Sequence, residues 1–160
     1  MSTPFSGLIA ATAQRYQLPT ALLHALIAVE SDGNPWAVRY EPAFFARYIE
    51  AKRWPVFGAV SSETEKRLLA TSFGLCQVMG VTARELGFTG AFLTQLCAPA
   101  LSLDYGCRYL AQQRARYATR SLRWAVAAYN AGTPKVVNGV FVNEAYVKKV
   151  ERHCGPGVLV

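Results

Sequence analysis

The chain has 160 residues, of which 52% are hydrophobic, 12% aromatic and 17% charged. This length suits a single domain with its own core, and the composition excludes a disordered or collagen-like chain. Lysine and arginine outnumber aspartate and glutamate by 17 to 10, which gives a net charge of +7. A basic protein attracts nucleic acid, acidic lipid or bacterial wall polymers, but the cations are scattered, so a solvated surface is the simpler interpretation.

Helical patterns dominate the chain in sequence order, and the segment after residue 19 is the clearest because strong helix formers there end at Gly33 and Pro35. The predicted helices are 4–16, 21–30, 42–52, 63–70, 81–86, 91–96, 99–117, 122–129 and 143–153. An Asn-Gly turn between β-branched residues predicts a small hairpin over 136–142. We therefore expect an all-α, mainly helical protein with at most a small β-hairpin, in a single domain over residues 1–160.

The termini and the cysteines narrow the expected setting. Residues 1–16 lack the basic region of a signal peptide, and no segment approaches the roughly 18 to 20 apolar residues that span a bilayer. We expect synthesis in the cytoplasm, no stable membrane insertion, and export only with outside help. The cysteines are Cys76, Cys97, Cys107 and Cys154. They form no CxxC pair, so zinc and thioredoxin-like sites are not indicated, and the pattern leaves their disulfide state open.

Glu30 is the charged residue with the most unusual position. It lies on the apolar stripe of its predicted helix, within roughly 60° of Leu23, Leu26 and Ile27. A partly desolvated carboxyl shifts towards its neutral form, which a general acid needs at neutral pH. A glutamate at a helix end can also turn into solvent, and the periodicity alone leaves both interpretations open.

Three ordered motifs carry a family resemblance. The first is Leu-Ile-Ala-Val-Glu-Ser-Asp-Gly-Asn-Pro, over residues 26–35, which ends an apolar helix in Glu-Ser with Asn-Pro soon after. The second is Gly-Leu-Cys-Gln-Val-Met, over 74–79, and the third is Ala-Tyr-Asn-Ala-Gly, over 128–132. In this order they resemble the glutamate helix, the Gly-Leu-X-Gln-Ile/Val-Met motif and the Ala-Tyr-Asn-Ala-Gly motif of the family 1 lytic transglycosylases.

The resemblance implies a lysozyme-like helical domain that holds peptidoglycan glycan strands in a groove. It implies that Glu30 protonates the bond between N-acetylmuramic acid and N-acetylglucosamine and then takes the proton from the muramoyl 6-hydroxyl. That hydroxyl closes a 1,6-anhydro ring, so one carboxylate suffices, without a metal or an organic cofactor. In an ordinary glycosidase two carboxylates are needed.

Further substrate-binding residues are carried over from the two later motifs. Gln77 matches a groove position and offers both a donor and an acceptor to an N-acetyl group. Met79 matches a groove position too, although methionine often fills core gaps. Tyr129 matches a tyrosine that reaches the glutamate or the sugar. Asn130 either contacts substrate or holds the turn that Gly132 indicates.

The link between the first two motifs is longer than the family pattern. Arg39 stands where the family has a small hydroxyl residue, and Tyr40 and Glu41 follow it; all three are candidate substrate contacts. Glu41 has several open roles: it can orient Arg39, bind sugar, favour the helix that starts at Pro42, or activate water. In the last case the enzyme is a hydrolysing muramidase.

Three functions are thus open, with the expected partner being bacterial peptidoglycan and the expected state a monomer. The first is a lytic transglycosylase acting at the periplasm or wall in phage-driven lysis or wall penetration. The second is the muramidase that uses Glu41. The third is a non-enzymatic protein that binds the wall or nucleic acid. The sequence contains no nucleic-acid-binding motif, so nucleic acid is not an expected partner.

Overall fold

The computed structural model describes residues 4–160. These residues form two compact units: unit 1 contains residues 4–32 and 107–160, and unit 2 contains residues 33–106. The expectation of one domain over the whole chain stays a prediction. The mainly helical fold is confirmed, and unit 1 is the more helical of the two units.

Unit 1 is built from helices and one hairpin. Its elements are α1 Ser6–Arg15, α2 Thr20–Ser31, the second part of α6 Pro99–Arg116, α7 Leu122–Ala131, β4 Val136–Val137, β5 Val140–Phe141 and α8 Glu144–Cys154. Helix α2 buries apolar side chains around much of its surface, and α1 and α8 both pack against it. Helix α8 is amphipathic, with Val147, Val150 and Cys154 buried at helical spacing, and it also packs against α7.

The predicted hairpin is present. Strands β4 and β5 pair antiparallel, with Val137 opposite Val140. The two turn residues, Asn138 and Gly139, have φ angles of 51° and 78°. Asn-Gly is the sequence that tolerates positive φ at both central positions of a two-residue turn, which is why the sequence located it.

Unit 2 combines short helices with a small sheet. Its elements are β1 Val38–Tyr40, α3 Pro42–Phe44, a π-helical turn Phe45–Ile49, α4 Ser62–Leu69, β2 Thr71–Phe73, β3 Val78–Met79, α5 Gly80–Glu85, a 3₁₀ helix Leu93–Cys97 and the first part of α6. The sheet is antiparallel in the order β1-β2-β3. It was not predicted, and the predicted helix 42–52 is instead a short α-helix that continues as a π turn and ends at Ile49.

A buried ion pair lies in the interior of unit 2. An Arg84 Nη2 to Glu65 Oε1 distance of 2.8 Å joins two side chains that are 7% and 1% exposed. The same guanidinium donates to the carbonyls of Phe88 and Gly90, at 2.8 Å each, and lies 4.2 Å from the centre of the Phe57 ring. Arg84 therefore ties helices α4 and α5 to the loops on both sides of them.

Other expectations concern all the described residues. The four cysteines are free and buried, which answers the question that the sequence left open. No helix among residues 4–160 has the length and apolar character to cross a bilayer. Within the same residues, no three side chains of the metal-ligating types are grouped so that they could hold an ion.

Candidate active site

Glu30 lies in the last turn of α2 and is half-buried. The helix ends at Ser31, because the next residue, Asp32, adopts the left-handed conformation with φ 52°. Ser31 Oγ donates to the carbonyl of Ile27 at 3.2 Å, so the hydroxyl next to the glutamate is turned back along the helix. The chain thus places one carboxyl at the end of an otherwise apolar helix.

Tyr146 is a hydrogen-bond partner of this carboxyl. Its hydroxyl donates to Glu30 Oε1 at 2.5 Å in a partly buried setting. Tyr146 belongs to the first turns of α8, which packs against α2. The interpretation in which Glu30 turns away into solvent is therefore wrong for this structure. No motif pointed to Tyr146, because the pattern of a helix does not specify which distant residue one of its side chains contacts.

Tyr129 and Asn130, both in α7, have different surroundings. Tyr129 is 8% exposed, and its ring centre lies 5.2 Å from that of Tyr109. Asn130 is exposed, and its Oδ1 accepts a hydrogen bond of 3.0 Å from Asn143 Nδ2. The same Asn143 nitrogen donates to the carbonyl of Ala127 at 3.0 Å. Asn130 thus helps to join the end of α7 to the residue before α8, and α8 is the helix that carries Tyr146.

In unit 2, Gln77 closes the turn between β2 and β3. Its backbone has φ 47°, and its Nε2 donates to the carbonyls of Ala37 and Gly74, at 3.0 Å each. The side-chain donor is therefore used by the protein. Among the described residues no partner engages its Oε1, so the amide offers a substrate an acceptor rather than the donor and acceptor expected from its chemistry.

Gly74 is the residue that lets this turn form. It has φ 69°, and an added Cβ would lie 2.5 Å from the carbonyl oxygen of Leu96 and 2.8 Å from Ser102 Oγ. Ser102 Oγ in turn accepts a 3.0 Å bond from the Cys76 amide. Gly74 thus lets the turn between β2 and β3 lie close to the backbone of Leu96 and to the first turn of α6.

The small sheet carries Met79 and the residues of the lengthened link. Arg39 pairs with Ser72, and Ser72 pairs with Met79, so Arg39 and Met79 share one face of the sheet. Met79 is half-buried. Arg39 Nε lies 2.6 Å from Glu41 Oε1, with the two side chains 64% and 34% exposed. Of the roles open to Glu41, the orientation of Arg39 is the one with a visible contact.

Tyr40 lies between Arg39 and Glu41 in the chain and contacts a different residue. Its hydroxyl accepts a 2.8 Å hydrogen bond from Arg67 Nη1, and it is 37% exposed. The Arg67 guanidinium also lies 4.2 Å from the ring centre of the buried Phe45. The link is therefore joined to α4 through an arginine, while Tyr40 stays partly exposed.

The sequence matches a known protein family. A model of the family described as Transglycosylase SLT domain matches residues 7–149. No curated protein matches the chain. The family match contains Glu30 and Tyr146 and all the other candidate site residues, and it covers far more than half of the sequence.

Proposed function

Because the chain belongs to the family of SLT transglycosylase domains, which are lytic transglycosylases acting on peptidoglycan, we propose the specific bond that it cleaves and the residues that cleave it. The bond is the β-1,4 linkage from N-acetylmuramic acid to N-acetylglucosamine. The products carry 1,6-anhydro-muramoyl ends. The observation that carries the proposal is the hydrogen bond from Tyr146 to Glu30 Oε1 at the end of an apolar helix.

Glu30 acts first as the acid. Its proton passes to the glycosidic oxygen, the bond to the muramoyl anomeric carbon breaks, and positive charge develops on that carbon. The carboxylate left behind is stabilised by the Tyr146 hydroxyl, since a hydrogen bond to an ionised group is stronger than one to a neutral group. The same hydrogen bond to Oε1 restrains the orientation of the carboxyl during the reaction.

Glu30 acts next as the base. Its carboxylate takes the proton of the muramoyl 6-hydroxyl, whose oxygen attacks the anomeric carbon of the same sugar. The attack is intramolecular, so no second carboxylate is needed to activate water. The ion pair of Glu41 with Arg39 favours this scheme over hydrolysis, because Glu41 Oε1 contacts the guanidinium at 2.6 Å and is therefore not free to activate water.

The remaining candidate residues bind the strand. We propose that the free Oε1 of Gln77 accepts a hydrogen bond from an N-acetyl amide, and that Met79, Arg39 and Tyr40 contact the sugars. Tyr129 and Asn130 act from α7, the first against the reacting sugar and the second by holding the connection to α8. The family assignment excludes the non-enzymatic alternative, because the members of the family are enzymes.

Product analysis tests the reaction. Sacculi are digested with wild-type protein and with Glu30→Gln, and the muropeptides are reduced with borohydride before mass spectrometry. Anhydro ends resist reduction, whereas the ends left by hydrolysis are reduced. We expect anhydro ends from the wild type and a loss of about 10³-fold in rate for Glu30→Gln, because general acid–base catalysis contributes about 10² to 10⁴.

Asp32→Asn is the matched control for that loss. It removes a neighbouring carboxylate at the end of the same helix, and asparagine tolerates the left-handed conformation of this position. It should keep wild-type rates. Reducible ends in place of anhydro ends, together with inactivity of Glu41→Gln, would establish the muramidase and overturn the proposal.

The setting of the reaction is a further part of the proposal. We place it at the bacterial periplasm or wall, in phage-driven lysis or wall penetration. The test is expression in the cytoplasm of a bacterial host with and without a co-expressed pore-forming protein. Lysis that requires the pore supports the proposal, and lysis without it contradicts it.

A further inference from the structure

A cleft of about 530 Å³ opens in unit 1 at the C-terminal end of α6 and the start of α7. We name it the arginine cleft after Arg114 and Arg120, which line it together with Tyr16, Tyr117 and Ser121. A volume of this order is typical of sites for small molecules and short segments of polymers. None of the residues assigned to cleavage lines it.

The arginine cleft contains two guanidinium groups that no acidic side chain of the described residues pairs with. No aspartate or glutamate lines it, and no described residue forms an ion pair with Arg114 or Arg120. Arg114 Nη1 donates to the carbonyl of Gln17 at 2.5 Å, and the Arg120 guanidinium lies 5.0 Å from the centre of the Trp124 ring. Each guanidinium has five N–H donors, so most of them stay available for an oxyanion.

The helix dipole does not account for both arginines. Arginine in the last turn of a helix interacts favourably with the carbonyl end, which explains Arg114 and its neighbour Arg116. Arg120 lies beyond the end of α6 and before α7, where that explanation does not apply. Its position next to the start of α7 adds a cation to a helix end that is itself partly positive.

We propose that the arginine cleft binds carboxylates of the peptide stems of peptidoglycan, as a second contact with the polymer outside the cleavage site. The inference rests on the proposed function, because the stems are covalently attached to the glycan that the enzyme cleaves. Guanidinium groups bind carboxylates with two parallel hydrogen bonds. Attachment to an already held strand gives the stem a high effective concentration, so a weak contact is enough to matter.

The two contacts lie at opposite ends of one helix. Ser121 and Leu122 at the beginning of α7 line the cleft, whereas Tyr129 and Asn130 stand at its end. A ten-residue helix is about 15 Å long, which separates the two contacts by more than the width of one sugar ring. The cleft therefore meets a different part of the wall polymer from the one that meets Glu30.

Binding to sacculi of altered chemistry tests the inference. All proteins carry Glu30→Gln so that the probe survives, and they are sedimented with three preparations: untreated sacculi, sacculi whose carboxylates are amidated with carbodiimide and ammonia, and sacculi freed of phosphate polymers by hydrofluoric acid. Arg114→Gln/Arg120→Gln should bind untreated and acid-treated sacculi about ten-fold more weakly than the parent, the loss expected for exposed charge-assisted hydrogen bonds. On amidated sacculi the two proteins should bind alike.

A double variant on α8 is the matched control. Lys148→Gln/Arg152→Gln also removes two positive charges, from exposed positions of unit 1 that do not line the cleft. A loss as large as that of the arginine pair would show a general charge effect and overturn the inference. A loss that persists on amidated sacculi, or disappears after removal of phosphate, also overturns it.

Two further measurements keep the result interpretable. Arg120→Gln alone breaks no protein hydrogen bond that the structure shows, so it should fold normally and lose part of the binding. Product analysis of proteins that keep Glu30 tests the cleavage chemistry by itself. If these proteins form no anhydro products but still bind sacculi in a carboxylate-dependent way, the proposed function is refuted. The inference about the arginine cleft would then still be supported.

Discussion

Unit 1 carries ten lysine and arginine residues against four aspartate and glutamate residues, whereas unit 2 carries seven against six. Three acids of unit 2 pair with its arginines, in the pairs Arg39–Glu41, Arg67–Glu63 and Arg84–Glu65. In unit 1 a single arginine, Arg123, engages both Glu144 and Glu151, and the arginines at the end of α6 have no acid. Nearly all the net charge therefore belongs to the unit that also holds Glu30.

The difference shows that the net charge of the whole chain does not reveal how the charged residues of each unit are paired. In unit 2 charged side chains have a structural role, because a buried ion pair joins helices and loops to one another. In unit 1 the cations exceed the acids by six, and such an excess attracts anionic polymers. The following predictions break or sharpen this contrast, beginning with the largest expected effect.

Arg84→Met should lower the free energy of unfolding by about 3 to 5 kcal/mol, because it leaves the Glu65 carboxylate buried without its partner. Arg123→Met is the matched variant in unit 1, where the guanidinium is 27% exposed, and it should cost about 1 kcal/mol. Urea unfolding of both variants gives the two values. Equal losses would contradict the expectation that the buried pair of unit 2 contributes more to stability than the partly exposed pairs of unit 1.

Tyr146→Phe should reduce kcat by about 10- to 100-fold with little change in KM, because a hydrogen bond to an ionised group contributes about 1.5 to 3 kcal/mol. The bond is needed most when Glu30 is ionised after proton transfer, so the loss falls on the chemical step. Steady-state kinetics on soluble glycan strands measures it. Tyr48→Phe, on an exposed tyrosine of unit 2, serves as the control and should be unchanged.

Gln77→Met should destabilise the protein by about 1 to 2 kcal/mol, since the carbonyls of Ala37 and Gly74 lose a shared donor. Asn143→Leu should cost a similar amount in unit 1, where that amide nitrogen also donates twice. Thermal unfolding compares the two. A stable Gln77→Met with impaired substrate binding would instead assign this amide to substrate recognition alone.

Alkaline pH should weaken unit 1 slightly through Cys154. Burial first, and the negative charge of Glu151 second, raise the pKa of this thiol from 9.0 to about 11. The folded state therefore favours the neutral thiol, and that contribution is complete below pH 9 and is lost as the pH rises towards 11. Melting temperatures at several pH values should fall less steeply in this window for Cys154→Ala, and equal slopes would contradict the assignment.

Local patterns determined most of the helices and the hairpin. Helical hydrogen bonds join residues four apart, and the Asn-Gly turn joins neighbours, so short windows of sequence contain the required information. The three motifs also pointed to Glu30 and Gln77, because each motif is continuous in the chain. The sequence did not reveal the sheet, since its strands are two or three residues long and show no alternation.

Tertiary structure decided what these residues contact. Val38 pairs with Phe73, Arg84 with Glu65, and Tyr146 meets Glu30 across 116 positions of the chain. Such contacts depend on how whole elements pack, and no periodicity within one element specifies its distant partner. The amino-acid order by itself thus supplied the acid and its helix, while the packing of α8 against α2 supplied the phenol that orients it.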